Sequence, residues 1–204
     1  MPTIRRLTPE DLPLLHPLED AILAGEEALL RIGRSGFTIS YMPLPRAEWR
    51  VFPPDPLASP EYILYKSHWA LFAAFDGDNL IGLASVRLND TNWADVADIR
   101  VDAAWRRKSV ARHLLDTCDQ FAHDNGMYGL RVVCTDSNPA MCQFCTHCGF
   151  TLGGFDNKAL AYSDQERQKP LARRASLLFF YRAYSSMNQL RRGNAPTAAP
   201  NTER

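Results

Sequence analysis

The sequence predicts an α/β (α+β mixed) fold in which a central mixed, mostly antiparallel sheet is flanked by helices. Two apolar segments joined by Asp76-Gly77-Asp78-Asn79 are typical of a strand–turn–strand unit. Residues 95–101 alternate between apolar and polar side chains, and an apolar stripe at helical spacing follows over residues 110–122. A buried-strand pattern at 129–135 then precedes a second helix start at Asn138-Pro139. Strands and amphipathic helices that alternate in this way share one layered core.

The composition bounds the class of protein. The chain has 204 residues, a length that favours one domain. Its 23 basic and 23 acidic residues give a net charge of zero, which argues against a nucleic-acid coat or a polybasic membrane binder. The longest apolar run, residues 69–75, is far shorter than the about 20 residues of a spanning helix. We therefore expect no transmembrane segment, no nucleic-acid partner and no membrane partner.

The N-terminus and the cysteines indicate a cytoplasmic protein. Basic residues 5–6 are followed by Glu10 and Asp11, where a secretory signal would have an apolar stretch. The chain has 5 cysteines, an odd number, and all but one lie between Cys134 and Cys148. Without an export signal, we expect reduced thiols and not a disulfide framework.

The first elements are a strand over residues 3–7 and an interrupted helix. Thr8-Pro9-Glu10-Asp11 supplies a cap, a proline suited to the first helical position and an acidic first turn. Apolar residues recur at helical spacing as far as Leu23. Because Pro13 and Pro17 count against one regular helix, we expect a break.

Residues 37–66 form an excursion that is rich in proline and aromatic residues. Proline removes backbone donors and fixes φ, so long helices and central strands are not expected there. Two interpretations stay open. The excursion packs on the core, or it covers a substrate.

The later elements complete the order β-α-excursion-β-β-β-α-β-α-β-β. Asn125-Gly126 ends the first long helix, and Gly149 ends the second. Residues 175–181 predict a late strand. The polar residues at the C-terminus predict a disordered tail. We therefore expect a single domain over residues 1–185 and a tail over 186–204.

The loop at residues 106–111 has the features of an anion site. It carries Arg106, Arg107 and Lys108 and leads into a helix that contains Arg112. Free N–H groups and the helix dipole both favour an anion at a helix N-terminus. A charge run alone is more often a solvated turn. Its place between a strand and an amphipathic helix favours the anion site.

Residues 101–111, followed by His113-Leu114-Leu115, resemble the acyl-CoA signature of GNAT-type N-acetyltransferases. In that family a strand ends in valine, and a loop of the form Arg/Gln-x-x-Gly-x-Gly/Ala leads into a helix. Asn138, Phe144 and Gly149-Phe150 are similar to a second segment of the family. The resemblance implies the GNAT fold and acetyl-CoA as cosubstrate. The implied cofactor-binding residues are Ile99, Arg100, Val101, Arg106, Arg107, Lys108, Ser109, Val110, Ala111 and Asn138.

A narrower resemblance involves residues 88–91, residues 148–156 and Tyr162, which are similar to streptothricin acetyltransferases. Those GNAT enzymes acetylate an amine on an antibiotic. The resemblance implies direct transfer of an acetyl group to a primary amine of a small, cationic molecule, streptothricin-like or polyamine-like, and a role in antibiotic resistance. Four acids near the proposed mouth fit a cationic acceptor: Glu48, Asp55, Glu61 and Asp90.

Three positions depart from the family's pattern. Ser109 replaces the first loop glycine, and its Cβ restricts the backbone although its hydroxyl could donate to phosphate. Cys145 replaces a tyrosine that often protonates the departing CoA thiolate; a thiol with a pKa of about 8.5 could also donate. Ala97 replaces a strand glutamate. Asp98 is next to it, but points to the other face unless a β-bulge re-aims it. Cys145 and Asp98 are therefore the catalytic candidates.

The cysteine spacing superficially resembles a metal site. On a helix, residues three apart lie about 60° apart around the axis, so Cys142, Cys145 and Cys148 diverge. We expect buried apolar thiols and no metal. A covalent acyl intermediate on Cys145 is a minor hypothesis.

Two other functions stay open. The three departures motivate a non-catalytic acyl-CoA-binding or interaction domain. A protein N-acetyltransferase would need the excursion to leave a groove for a peptide. The family resemblance also allows a homodimer, although nothing in the residues specifies one.

Overall fold

The computed structural model describes residues 2–34, 36–52, 59–160 and 175–184. The strands are β1 (Thr3–Arg6), β2 (Ile22–Gly33), β3 (Gly36–Arg50), β4 (Trp69–Asp76), β5 (Asn79–Leu88), β6 (Trp93–Val101), β7 (Gly129–Thr135), β8 (Thr151–Asp156) and β9 (Leu177–Ala183). The α-helices are α1 (Pro60–Ile63), α2 (Val110–Asp124) and α3 (Pro139–His147). Short 3₁₀ helices lie at Pro9–Leu14 and Ala103–Trp105.

Seven strands form one sheet in the order β1-β4-β5-β6-β7-β9-β8. Its neighbouring strands pair antiparallel, except that β6 and β7 are parallel. A helical crossover through α2 joins that parallel pair, as such a pair requires. The predicted mixed, mostly antiparallel sheet flanked by helices is confirmed.

Both faces of β4 are covered, which explains its uninterrupted apolar sequence. Ala70, Phe72 and Ala74 face the cluster that includes α2 and α3. The alternate residues, such as Leu71 and Ala73, face a second cluster with parts of the N-terminal segment and α1. A strand buried on both faces loses the polar alternation of a half-exposed strand.

The helix α2 is held by its apolar stripe. Val110, Leu114 and Leu115 are all at most 2% exposed and pack in the core. Burying each such side chain contributes about 1.5–3 kcal/mol. The side chain of Arg112 reaches the sulfur of Cys148 at 3.7 Å, so the start of α2 lies beside the end of α3.

The long hairpin of β2 and β3 differs from the prediction. Ile22 and Leu23 begin a strand and do not continue the broken helix. Much of the excursion is strand, although it holds Pro43 and Pro45. The pair forms a separate two-stranded sheet, where proline is tolerated because no third strand needs its donor. The register also shifts between Ala24 and Glu26, opposite the proline-containing stretch.

Several predictions lie outside the described residues. They concern Asp55, Tyr162 and the tail over residues 186–204. Among the described residues, no helix is both long and apolar enough to cross a membrane.

Candidate functional site

The strands β6 and β7 stop pairing before their C-terminal ends, and the unpaired region between them is called the cleft. These strands pair only from Trp93 with Gly129 to Val96 with Val132. Beyond that point β6 continues to pair with β5, and β7 continues to pair with β9. In the described part of the chain, the backbone of residues 97–101 therefore has no partner strand on its β7 side. The sequence-predicted residues Ile99, Arg100 and Val101 lie on this free edge.

A β-bulge re-aims Asp98. The register pairs Val96 with Val86 and Asp98 with Ser85, so Ala97 is the extra residue. Val96 packs in the cluster that includes α2, whereas Ala97 packs in the second cluster. Asp98 lies on the same side as Ala97, because it lines a cavity with residues of that second cluster. Strict alternation is therefore broken, and the bulge that the sequence analysis left conditional is present.

A cavity of about 160 Å³ lies on this face of β5 and β6. Its walls are mostly apolar: Pro17, Leu18, Pro60, Leu71 and Leu83. The polar groups that line it are His16, Ser85, Asp98 and Arg100. Ser85 is only 2% exposed, and its hydroxyl has no hydrogen-bond partner among the described residues. A mostly apolar cavity with few converging polar groups is typical of a small-molecule site.

One guanidinium lies between two carboxylates beside this cavity. The Arg100 Nε donates to Asp98 Oδ2 at 2.7 Å, and its Nη1 donates to Asp20. Its Nη2 donates to the carbonyl of Phe52 at 2.9 Å. Burial raises the pKa of Asp98, and the positive charge of Arg100 offsets only part of that effect. A carboxyl with a raised pKa in a cavity is a candidate general base.

The loop after β6 is braced from within by Arg106. Its Nε donates to the carbonyl of Val101 at 3.2 Å, and Nη1 donates to that of Ala21 at 2.7 Å. Nη2 donates to the carbonyl of Glu19 at 3.2 Å. The family resemblance implied that Arg106 binds the cofactor through its positive charge. The structure instead uses its guanidinium to tie the loop to the segment before β2.

The same loop presents a row of free amides. In the described part of the chain, no acceptor is present for the backbone N–H groups of residues 107–112. The last three belong to the first turn of α2, where such groups are free by geometry. Arg107 and Ser109 have φ of 61° and 64°, in the left-handed region. The departure from glycine at 109 therefore falls where a glycine would be unstrained.

The charged side chains of the loop lie at its surface. Arg107, Lys108 and Ser109 are exposed, and the Lys108 ammonium lies 4.6 Å from the centre of the Trp105 ring. Val110 is buried, so that only its amide is available, and Ala111 is half-buried. Free amides, a helix N-terminus and nearby cations form a site that fits a phosphate or pyrophosphate.

Two predicted site residues, Asn138 and Cys145, have structural contacts at α3 that the family resemblance did not imply. The Asn138 side chain caps α3 by accepting from the Met141 amide at 3.1 Å. Cys145 is fully buried, within a cluster of thiols in which the sulfurs of Cys134 and Cys142 are 3.8 Å apart. Hydrogen bonding with Cys142 and Cys145, together with burial, raises the pKa of Cys134. All five cysteines are buried free thiols, and they include Cys145, for which the family resemblance implied a position facing the CoA sulfur.

Tyr41 of β3 lies against this thiol cluster, and no sequence pattern predicted that contact. Its side chain packs on the core that contains Cys142 and Cys145. Burial, together with the charges of Cys142 and Glu26, raises its pKa to about 12. Only the fold brings it there, because the hairpin is anchored by the Ala28 amide, which donates to the carbonyl of Asp136 at 3.2 Å.

The acids proposed for a cationic acceptor do not gather at the cavity. Glu48 accepts from Arg50 at 2.7 Å, and Glu61 and Asp90 lie outside the cavity lining. Asp98 lines the cavity and shares the guanidinium of Arg100 with Asp20. Within the described ranges, no group of three or more His, Cys, Asp or Glu side chains is arranged to hold a metal ion.

Comparisons with known proteins agree with this geometry. The model of a family described as the acetyltransferase (GNAT) family matches residues 39–150. A streptothricin acetyltransferase of Escherichia coli is 34% identical over 90 residues, 43% of this chain and 50% of that protein. Streptothricin acetyltransferase A of Bacillus subtilis (strain 168) is 28% identical over 113 residues, 55% of this chain and 62% of that protein. The matches thus span less than two thirds of either relative.

Solved structures extend the likeness of the fold to most of the chain. A Bacillus anthracis str. Ames protein described as a streptothricin acetyltransferase, in complex with acetyl coenzyme A, superposes with a TM-score of 0.77 at 22% identity. That match covers 91% of this chain and 98% of the other. A nourseothricin acetyltransferase gives 0.71 at 22% identity, over 89% of this chain and 98% of the other. At this identity the two structures establish the fold.

Proposed function

Since the family model matches more than half of its length, the chain belongs to the acetyltransferase (GNAT) family, and we propose that it is an acetyl-CoA-dependent N-acetyltransferase. Its acceptor is the primary amine of a small, cationic molecule. The observation that carries the proposal is the braced loop at residues 106–111, whose free amides lead into α2 beside the cleft between β6 and β7. We propose a single domain over residues 1–185.

The loop fits the pyrophosphate of acetyl-CoA. The free amides at residues 107–112 would donate to it, and the exposed cations Arg107 and Lys108 add charge. Arg106 is a positioning residue, because each of its three guanidinium nitrogens donates to a carbonyl of the chain. The free backbone edge at Ile99 and Val101 would hold the extended part of the cosubstrate along the cleft.

The proposed reaction is direct transfer with Asp98 as the base. Asp98 takes one proton from the acceptor's ammonium group, and the neutral nitrogen attacks the thioester carbonyl. Backbone N–H groups of residues 99–101 would stabilise the negative oxygen that develops. The carbon–sulfur bond then breaks, nitrogen releases its second proton to solvent, and sulfur takes a proton from an acid of the site, which solvent reprotonates. The raised pKa of Asp98 suits a group that must accept a proton near neutral pH.

Two groups are candidates for the proton that sulfur takes. The resemblance assigns this role to Cys145, which is fully buried and could act only through an intervening group. Tyr41 packs over the same cluster, next to Cys134 on the strand that borders the cleft. Its raised pKa keeps its hydroxyl protonated, as a donor must be.

The acceptor class is supported by charge and by the relatives. Asp98 and Asp20 share one guanidinium, that of Arg100, so the cavity has a surplus of negative charge when His16 is neutral. A cationic amine complements that charge. Two relatives are named streptothricin acetyltransferases, so a streptothricin-like amine and a role in antibiotic resistance are our first candidates.

Calorimetric titration with acetyl-CoA and with CoA, followed by thiol release with a panel of amines, tests the proposal. We expect binding of both nucleotides and release with a small cationic amine. Absence of acetyl-CoA binding would overturn the pyrophosphate site. Ala103→Ser lies outside the free-amide segment and serves as a control variant. It should bind acetyl-CoA as tightly as the wild type does.

A second candidate is a domain that binds acyl-CoA without transferring the acyl group. Three observations favour it: the strained Ser109, the full burial of Cys145, and the ion pair that occupies one oxygen of Asp98. Tight binding of acetyl-CoA without thiol release to any amine, peptide amines included, would support this candidate over the enzyme.

A further inference from the structure

Ser85 carries a buried hydroxyl for which the described fold provides no partner. The residue is 2% exposed, and its Oγ has no hydrogen-bond partner among the described residues. An unsatisfied buried hydroxyl is destabilising, so native folds rarely keep one without a ligand or a water to complete it. A ligand group bound in the cavity would complete this hydroxyl and would explain why the position is a serine.

The hydroxyl converges with a carboxylate. Ser85 and Asp98 are direct cross-strand partners, and both line the cavity. Directly opposite side chains on one face of an antiparallel pair have Cβ atoms about 4.5–5.5 Å apart, close enough to hold one small group between them. The other charged or titratable groups around them are Arg100, Asp20 and His16. With His16 neutral, this set has one more negative charge than positive, which selects a cation with N–H donors.

The walls and the volume of the cavity restrict the part of the ligand that is attached to the cationic amine. Pro17, Leu18, Leu71 and Leu83 offer no hydrogen bonds, so the part of the ligand beside them must be apolar. The volume is about 160 Å³. A cavity of this volume admits a group of about benzene size, or roughly five water volumes. A short alkyl chain with a terminal amine meets both limits, whereas a larger ring system does not.

We propose that this cavity receives the amine arm of the acceptor, and that Ser85 is a positioning residue that accepts one N–H of the amine while Asp98 accepts another. The inference rests on the proposed N-acetyltransferase function and narrows its acceptor to a primary amine on a short apolar arm no larger than about one benzene-sized group. The rest of the acceptor stays outside the cavity. Ser85 orients the nitrogen, and Asp98 remains the group that takes its proton.

Calorimetric binding of amines, measured with and without saturating CoA, tests this without requiring turnover. The probes are 1,5-diaminopentane, n-pentylamine and 1-adamantylamine, whose fused rings exceed the benzene-sized limit of the cavity. For Ser85→Ala we expect a loss of about tenfold in affinity for the two linear amines, the size of one hydrogen bond to a charged group. Acetyl-CoA affinity should not change. The melting temperature should stay the same or rise, because a hydroxyl without a partner is removed.

Thr117→Ala is the matched control, because it removes a hydroxyl that is bonded to the carbonyl of His113 on α2, away from the cavity. It should leave amine affinity unchanged. Leu83→Ala tests the size limit independently, and it should raise the affinity for 1-adamantylamine at least severalfold. These changes would establish the cavity as the amine site.

Other outcomes overturn the inference. They are equal amine affinity in Ser85→Ala and wild type, no gain for 1-adamantylamine in Leu83→Ala, no binding of any linear amine, or a marked fall in melting temperature on loss of the hydroxyl. Failure of the proposed function is a separate result, because it would appear as absent acetyl-CoA binding or absent thiol release. Thiol release with linear amines that Ser85→Ala leaves unaltered would remove only the role of Ser85.

Discussion

Two aspartates three positions apart on β6 have opposite surroundings. Asp95 is 5% exposed and accepts from Arg131 at 2.6 and 2.8 Å, from Arg87 at 2.9 Å and from Asn89 at 3.0 Å. Burial tends to raise its pKa, but hydrogen bonds from these three side chains outweigh burial and leave the pKa lowered. The fold engages this carboxylate on both oxygens.

Asp98 lies beyond the bulge and has fewer donors. Arg100 is the side chain that donates to it, and that guanidinium is shared with Asp20. Here burial outweighs the attraction of the guanidinium, and the pKa is raised. The difference teaches that a buried carboxylate with a full set of donors stabilises the fold, whereas one left short of donors beside a cavity is available to accept a proton.

The largest expected effect is the loss of activity in Asp98→Asn. The amide keeps the shape of the side chain but cannot take a proton, so kcat with a small amine should fall about 10²–10⁴-fold. Acetyl-CoA affinity should be unchanged, because the loop at residues 107–112 does not involve this side chain. Steady-state thiol release and calorimetry measure the two quantities.

The exposed Asp90 gives the control for that change. Asp90→Asn, on the β5–β6 turn, should keep wild-type kcat. A full-rate Asp98→Asn would show that water or another acid is the base, and would remove the distinction drawn between the two ends of the strand.

The next effect is on stability, in Asp95→Asn. This change leaves Arg131 and Arg87 without their counter-charge. Removing one partner of a buried ion pair costs about 3–5 kcal/mol. We expect about 2–3 kcal/mol, because the Arg87 side chain is 40% exposed and water screens part of the effect. Urea unfolding measures it. Specific activity of the folded fraction should remain within about twofold of wild type, and a larger loss would tie Asp95 to the reaction.

The two carboxylates should also give opposite pH dependence of stability. A lowered pKa makes the contribution of Asp95 present above its ordinary value of 3.8 and lost as pH falls through the folded pKa. A raised pKa makes the folded protein bind an extra proton at Asp98, so stability falls as pH rises from 3.8 through the folded pKa. Unfolding free energies of wild type, Asp95→Asn and Asp98→Asn across this range separate the two. Parallel curves for the two variants would contradict the assignment.

The same contrast explains what the sequence could predict. The proposed cofactor loop is contiguous: a strand, a basic loop and a helix start lie within residues 101–112, and its proposed donors are backbone amides that any sequence of this form supplies. Its place in the fold, and the sheet and helices around it, were therefore predictable. The inward turn of Arg106 was not, because its acceptors include Ala21 and Glu19, which are distant in sequence.

The acceptor side could not be predicted in the same way. Its cavity joins Leu18, Leu71, Ser85 and Asp98, which come from four separate segments. The bulge that aims Asp98 is a property of strand register, and alternation alone predicts the opposite face. The sequence did not predict the β2–β3 hairpin, because its prolines are typical of a loop. The position of Tyr41 on that hairpin was therefore not predicted either.

A smaller effect should distinguish the two candidate acids. For Tyr41→Phe we expect a fall in kcat of about tenfold, less than for the base because a thiolate with a pKa near that of cysteine leaves readily. Cys145→Ala should lower stability by about 1 kcal/mol through a small cavity and change kcat by less than about twofold. Single-turnover thiol release compares them. The reverse ranking would return the role to Cys145 and indicate that Tyr41 only packs against the core.

The smallest effect concerns the strained loop residue. Ser109 has φ of 64°, and the left-handed region costs a non-glycine residue about 1–2 kcal/mol. In Ser109→Gly we expect a gain of about 1 kcal/mol in unfolding free energy and acetyl-CoA affinity equal to or severalfold above wild type, because the amides carry the site. Asn92→Gly relieves a similar conformation, φ of 60°, on the β5–β6 turn. It should add less stability, since asparagine tolerates this region, and leave affinity unchanged. Weaker acetyl-CoA binding in Ser109→Gly alone would show that the serine hydroxyl itself binds phosphate, and that this side of the site depends on a side chain as the acceptor side does.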